Sequence, residues 1–155
     1  MRLAYLSLGT NVGDRGAHLD GALSILAAGD AYRLSNVYQT QPVGGVPQRD
    51  FWNLVMEITT EASAEELLER AHRAEEAAHR TREVRWGPRT LDVDVLLVGE
   101  EVRHGLELTV PHPRMYERAF VLRPLRDLAP NLVSDTQLAG AVGHVVELGT
   151  LSSLR

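Results

Sequence analysis

Apolar and polar positions along the chain alternate between two periods, and the switches between them mark the elements. Leu3 to Leu8 is an apolar-rich run that ends at Gly9-Thr10-Asn11, which predicts a first strand followed by a turn. Gly9 to Gly13 lacks the dinucleotide-binding glycine pattern and reads as a strand-to-helix connection. Asp14 is placed to cap the next helix. There Leu19, Leu23 and Leu26, with Ala22 and Ile25, recur at helical spacing until Gly29-Asp30. Tyr32 to Thr40 reads as a second strand and Phe51 to Thr60 as a third, with Leu54, Met56 and Ile58 on one face and Asn53 on the other. An amide in so apolar a strand predicts a specific hydrogen-bond partner.

Between these strands, Gln41 to Asp50 is rich in Pro and Gly and longer than a tight hairpin needs. A binding loop and a plain connection both fit it. Ser63-Ala64-Glu65-Glu66 is a capping box. The helix behind it runs to about His79, with Leu67, Leu68, Ala71, Ala74 and Ala78 on its apolar side. Leu91 to Val98 is the next strand, and Val102 to Val110 a short hairpin partner. Pro111-His112-Pro113 makes a rigid turn. Arg114 to Leu128 is expected to be helical with a break or kink at Pro124, and Thr136 to Leu148 to be a last helix. The order β-α-β-β-α-β with C-terminal additions predicts an α/β fold of the ferredoxin-like sandwich type, a mainly antiparallel sheet with helices packed on it. At 155 residues, one domain is expected.

The stretch Arg85 to Val98, RWGPRTLDVDVLLV, carries the densest chemistry. On a strand, Leu91, Val93, Val95 and Leu97 share one face and Asp92 and Asp94 the other. Two neighbouring carboxylates repel each other, and a divalent cation relieves the repulsion. Hard cations such as Mg²⁺ take carboxylate oxygens and keep substrate phosphate in their shell. Arg80, Arg82, Arg85 and Arg89 lie within ten residues just before the pair, and arginine suits bidentate phosphate contact. The pattern points to a magnesium–polyphosphate site. An edge strand with a solvated polar face is its rival.

Composition narrows the choice. Apolar residues make up 44% and charged residues 24%, ordinary for a globular protein. The first apolar run is too short for a secretory signal, and none approaches the ~20 residues of a membrane helix. No membrane role is expected. Cysteine is absent, which excludes disulfides and thiolate metal sites and fits the cytoplasm. A net charge of −5 without a dense basic stripe argues against nucleic acid as a partner. All 16 basic residues are arginine. Without lysine, a P-loop ATPase, an ordinary protein kinase and Schiff-base chemistry are excluded. Phosphate must be held by arginine, histidine, metal or backbone N–H groups.

Several motifs in order carry a resemblance: LGTN at Leu8–Asn11, YQTQP at Tyr38–Pro42, FWN at Phe51–Asn53, RWGPRTLDVD at Arg85–Asp94 and VPHPRM at Val110–Met115. Over nearly its whole length the chain resembles the 6-hydroxymethyl-7,8-dihydropterin pyrophosphokinases of folate biosynthesis. The resemblance implies transfer of the β,γ-pyrophosphoryl group of ATP to the pterin hydroxymethyl oxygen, releasing AMP. It implies two Mg²⁺ ions held by Asp92 and Asp94, with Arg80 and Arg89 gripping the transferring phosphates. Arg82, Arg85 and Trp86 would lie on a mobile loop, the arginines toward phosphate and Trp86 over the pterin. Glu75, Thr109, His112 and Arg118 fall at nucleotide-contacting positions, as does His72, where a glutamine is common. Thr40, Pro42, Val43, Asn53 and Phe120 fall at pterin-contacting positions, and Phe51 or Phe120 would stack on the ring. The loop between Arg80 and Trp86 is about one residue shorter than in members of that family, and Pro113 stands where some have Tyr. Partners beyond ATP and the pterin are not implied, and a monomer is expected. Two other readings stay open: another metal-dependent nucleotidyl or glycosyl transferase with an Asp-x-Asp pair, and a non-catalytic ferredoxin-like binding module.

Overall fold

Strand β1 (Arg2–Thr10) is buried from Ala4 onward on both sides. The structure, a computed structural model, describes residues 1–42, 48–80 and 90–154, the side chains of His79 and Arg80 excepted. Period-two alternation sends Ala4, Leu6 and Leu8 into one hydrophobic core and Tyr5 into a second. β4 (Phe51–Thr60) pairs with β1 antiparallel, Leu6 opposite Met56 and Gly9 opposite Asn53. β5 (Asp92–Val98) flanks β1 on the other side, also antiparallel. Across β4 lie β2 (Ala31–Leu34) and β3 (Val37–Thr40), and the outermost strand beside β3 is β8 (Val145–Gly149). β6 (Arg103–His104) and β7 (Thr109–Val110) form a separate two-residue hairpin.

Helices cover both faces. α1 (Arg15–Ala27) and α2 (Ala64–Arg80) pack on one, where Leu19, Leu23, Leu26, Leu67, Ala71 and Ala74 meet Leu6, Leu8, Leu54, Met56 and Ile58. α3 (Ala119–Leu128) covers part of the other, with Val121, Leu122 and Leu125 against Tyr5, Val55 and Leu96. Asp14 caps α1 by accepting the Ala17 N–H at 3.0 Å. α1 ends at Ala28 in the left-handed region (φ 48°), with Gly29 (φ 90°) after it. Arg70 of α2, itself buried, donates to Leu26 O and Ala27 O and to Asp30, so the orphan carbonyls at the end of α1 are satisfied. Ser63 accepts the Glu66 N–H as one half of the expected capping box. The architecture is the ferredoxin-like α/β sandwich expected from the element order.

Five expectations need correction, the first being Val102 to Val110, which pairs within itself as β6 and β7 and not with β5. The stretch from Tyr32 to Thr40 is two strands, because Ser35 and Asn36 leave the ladder. The Ser35 hydroxyl accepts the Val55 N–H at 2.8 Å while its own N–H donates to Val55 O. Leu97 does not share the face of Val95. The β1–β5 register steps from Leu6↔Val95 to Tyr5↔Leu97, and this bulge turns Leu96 and Leu97 toward the second core. The segment after Arg114 breaks at an extended Arg118, between a 3₁₀ turn (Met115–Glu117) and α3, and α3 continues through Pro124. Residues 136–148 are not one helix. α4 (Asp135–Gly140) is a short helix with a Ser134–Gln137 capping box, and β8 follows. Gly143 at φ 113° turns the chain, and β-branched Val145 and Val146 pair with β3.

On the α3 face, Glu57 of β4 accepts Tyr5 Oη at 2.8 Å and two donors of Arg33 at 2.8 and 2.9 Å. The Arg33 hydrogen bonds, and to a lesser degree that of Tyr5, hold the Glu57 carboxyl below its ordinary 4.5. A depressed carboxylate pKa stabilises the fold above the unfolded value and loses that effect as pH falls through the folded value. Glu57→Gln should therefore lower the melting temperature most near neutral pH. The gap to wild type should shrink between about pH 5 and about pH 3 in thermal denaturation series. A gap independent of pH would contradict the assignment.

Candidate active site

The sheet register sets the floor of the site. Gly9 on β1 lies opposite Asp92 on one side and Asn53 on the other, and Ser7 lies opposite Asp94. All five residues sit on the face that α3 covers only in part. They line a cleft of about 1090 Å³ with Thr40, Pro42 and Phe51. One wall is Arg118 and Phe120, just before and at the start of α3, with the Arg118 guanidinium 5.6 Å from the Phe120 ring centre. The other is the α4–β8 connection, Gly140 to Val145. That connection is stitched beside Arg118: Val142 N–H donates to Glu117 O at 2.8 Å, and Ala119 N–H donates to Val142 O at 3.0 Å.

Several polar groups in and beside the cleft have identifiable partners. Asn53 is buried, and its Nδ2 donates to Thr40 Oγ1 at 2.9 Å, the partner that its strand position demands. Glu75 reaches from α2 to accept the Val93 N–H at 3.0 Å. It thereby ties down the outer edge of β5 between the two aspartates. The Thr10 hydroxyl donates to the Thr90 carbonyl, fixing the chain just before β5. His112 is held by its N–H to Leu96 O (2.9 Å), and its Nδ1 accepts the Arg114 N–H at 3.2 Å. Its Nε2 therefore carries the proton of the neutral ring and stands 4.0 Å from Asp94 Oδ1. Burial foremost, with Arg118 and Arg114, pushes the His112 pKa down against the pull of Asp94, so the neutral ring is favoured at pH 7.

Of the residues singled out in the sequence, Thr40, Pro42, Phe51, Asn53, Asp92, Asp94, Arg118 and Phe120 come together in the cleft. His112 and Glu75 adjoin it on either side of β5. His72 is exposed on α2, and the Thr109 hydroxyl donates to Gly105 O; neither lines the cleft. Val43, Arg82, Arg85, Trp86 and Arg89, and the side chain of Arg80, lie outside the described residues. Sequence reasoning missed Arg114, Tyr116 and His144 as cleft residues. For His144 the error was reading the C-terminal segment as a helix; the Gly140 and Gly143 breaks were the available signal.

The arrangement is a floor with a carboxylate pair at one end and an amide at the other, walled by arginine and an aromatic ring. The sequence profile of 7,8-dihydro-6-hydroxymethylpterin-pyrophosphokinase (HPPK) matches residues 5–130. The chain belongs to this family. The family reaction is pyrophosphoryl transfer to hydroxymethyldihydropterin in folate biosynthesis, and the chain is an enzyme of that kind. A 2-amino-4-hydroxy-6-hydroxymethyldihydropteridine pyrophosphokinase of Bacillus subtilis (strain 168) is 44% identical over 140 residues, 88% of this chain and 84% of the relative. A protein of the same name from Methylorubrum extorquens is 44% identical over 136 residues, 86% of each chain. The crystal structure of an HPPK-DHPS in complex with substrates shares the fold, at a TM-score of 0.59 and 12% identity, over 90% of this chain and 42% of that one.

The donor set at β5 fits a hard divalent cation. Asp92 and Asp94 both open into the cleft, Asp94 with 46% of its side chain exposed. Among the described residues there is no group of three or more His, Cys, Asp or Glu positioned to hold a metal. Two carboxylates with the remaining positions left to water and phosphate is the set Mg²⁺ prefers. Because Asp94 is half exposed beside a like charge, it should contribute little to stability. In chelator-treated buffer, Asp94→Asn is expected to melt within about 2 °C of wild type or above it. A drop beyond about 5 °C would mean that Asp94 serves the fold through His112.

Proposed function

We propose that the chain carries out its transfer with two Mg²⁺ ions bound by Asp92 and Asp94, moving the β,γ-pyrophosphoryl group of ATP as a unit. The observation that carries this is the row Asp92–Gly9–Asn53 across three paired strands, which sets a phosphate-neutralising pair and a hydrogen-bonding amide on one floor. The pterin edge would lie on Asn53 beside Thr40, Pro42 and Val43, its ring against Phe51 or Phe120 under Trp86. The nucleotide would run along β5 toward His112 and Arg118, with Glu75, His72, Thr109, Arg82 and Arg85 as further contacts. The hydroxymethyl oxygen then faces the β-phosphorus. Its bond to phosphorus forms as the α,β-bridging oxygen departs with AMP, and its hydroxyl proton is released to water.

Holding both reactants in line is the larger part of the work, and charge stabilisation the rest. Metal bound at the aspartates would neutralise charge on the attacking and leaving oxygens. Arg80 and Arg89 would hold the transferring phosphates, which in a lysine-free chain are arginine's task. His112, neutral and donating from Nε2, would add a hydrogen bond to phosphate without a charge to desolvate. We further propose one domain acting as a monomer, α1 and α2 covering one face of the sheet and α3 part of the other. A cytoplasmic setting agrees with the absence of cysteine.

Incubation with ATP, Mg²⁺ and hydroxymethyl-dihydropterin should give AMP only when the pterin is present. ADP as product, or AMP without pterin, would overturn the reading. Asp94→Ala should abolish Mg²⁺-dependent turnover, and activity within about threefold of wild type would refute the metal assignment. Arg89→Ala should cut kcat by about 100-fold or more while the ATP Kd moves less than about threefold. Equal losses would make Arg89 a simple binding residue.

A further inference from the structure

We infer that Gly9 is a positioning residue for the pterin: the side chain it lacks is what allows the Asn53 amide to lie across β1 in the cleft. The inference rests on the reading above that Asn53 contacts the pterin. A Cβ built on Gly9 would stand 2.6 Å from Asn53 Oδ1, far inside contact distance. Asn53 has little room to yield. It is buried, and its Nδ2 is held by Thr40 Oγ1 at 2.9 Å. The backbone itself does not demand glycine here: Gly9 is a ladder residue within β1 and is not among the glycines with positive φ. What the position excludes is volume.

Its place in the register explains why that volume counts. Gly9 is the only residue between Asp92 and Asn53 in this row. A methyl group there would press on the amide from one side while Thr40 holds it from the other. Relief requires rotation of the amide, which gives up the Thr40 bond and re-aims Oδ1 and the free N–H. An amide that must offer one acceptor and one donor to a heterocycle edge loses both when it turns, and a site left with mispaired polar groups discriminates poorly. Asp92 and Asp94 sit on the far side of Gly9, so nucleotide binding should be spared. The effect belongs to pterin recognition alone.

The test is a double-mutant cycle of Gly9→Ala and Asn53→Ala, reading the pterin KM, the ATP Kd without pterin, and the melting temperature. Gly9→Ala should raise the pterin KM about tenfold or more and leave the ATP Kd within about twofold. Adding it to Asn53→Ala should cost nothing further, because the amide it displaces is gone. If Asn53→Ala raises the pterin KM and Gly9→Ala does not, or the two effects add, the inference fails while the pterin reading stands. Unchanged pterin KM in Asn53→Ala sinks that reading and the inference with it. Equal loss of ATP and pterin binding in Gly9→Ala also overturns it. Should Gly9→Ala fail to fold, Thr40→Val probes the same constraint. It should raise the pterin KM non-additively with Asn53→Ala, and an unchanged KM would refute the claim.

Discussion

Strand β1 is clamped between two partners and two cores, and the rest of the molecule takes its alignment from it. Its inward-facing leucines bind the sheet to α1 and α2, while its other face passes from Tyr5 in the second core to Ser7 and Gly9 on the cleft floor. A shift of one residue in its register would turn Leu6 and Leu8 out of the first core, so the hydrophobic pattern locks the pairing. That same lock decides that Asp92 and Asn53 meet across Gly9. Burial of large apolar side chains, at about 1.5–3 kcal/mol each, thus sets the spacing of groups that contribute little to stability themselves.

The electrostatics of the cleft are organised by separation. Carboxylates sit on the edge strand, where Glu75 fixes the backbone from outside. Arginines sit on the opposite wall and, in sequence, on the segment before Thr90. Charged groups elsewhere are tied to the fold by hydrogen bonds: buried Glu57 to Arg33 and Tyr5, Asp127 to Tyr38, and buried Arg70 to Asp30 and the end of α1. In each of them the carboxylate accepts hydrogen bonds from its partners. Asp94 is different: among the described residues its nearby partner is His112 Nε2, which stands at 4.0 Å, too far for a hydrogen bond. The contrast separates charges that serve the fold from Asp94, which opens into the cleft.

Much of this is legible in the amino-acid sequence itself. Periodicity located β1, α1, β4, α2 and β5 because each has a one-sided apolar pattern long enough to outvote local exceptions. The Asp92–Asp94 pair and the isolated Asn53 stood out because polar groups on buried strands need a reason. What failed were places where one residue changes the count: the bulge at Leu96, the Ser35–Asn36 break, and the Gly143 turn that converts an apparent helix into β8. Such features follow from tertiary pairing and leave little periodic trace. The cleft wall formed by the α4–β8 connection was hidden for the same reason.

The most direct test is a crystal of the chain with a non-hydrolysable ATP analogue, Mg²⁺ and hydroxymethyl-dihydropterin. Two metal ions should lie on Asp92 and Asp94 at about 2.0–2.1 Å from their oxygens. The pterin edge should pair with Asn53, and the hydroxymethyl oxygen should point at the β-phosphorus. Metal bound away from the two aspartates, or a pterin that leaves Asn53 unpaired, would contradict the account.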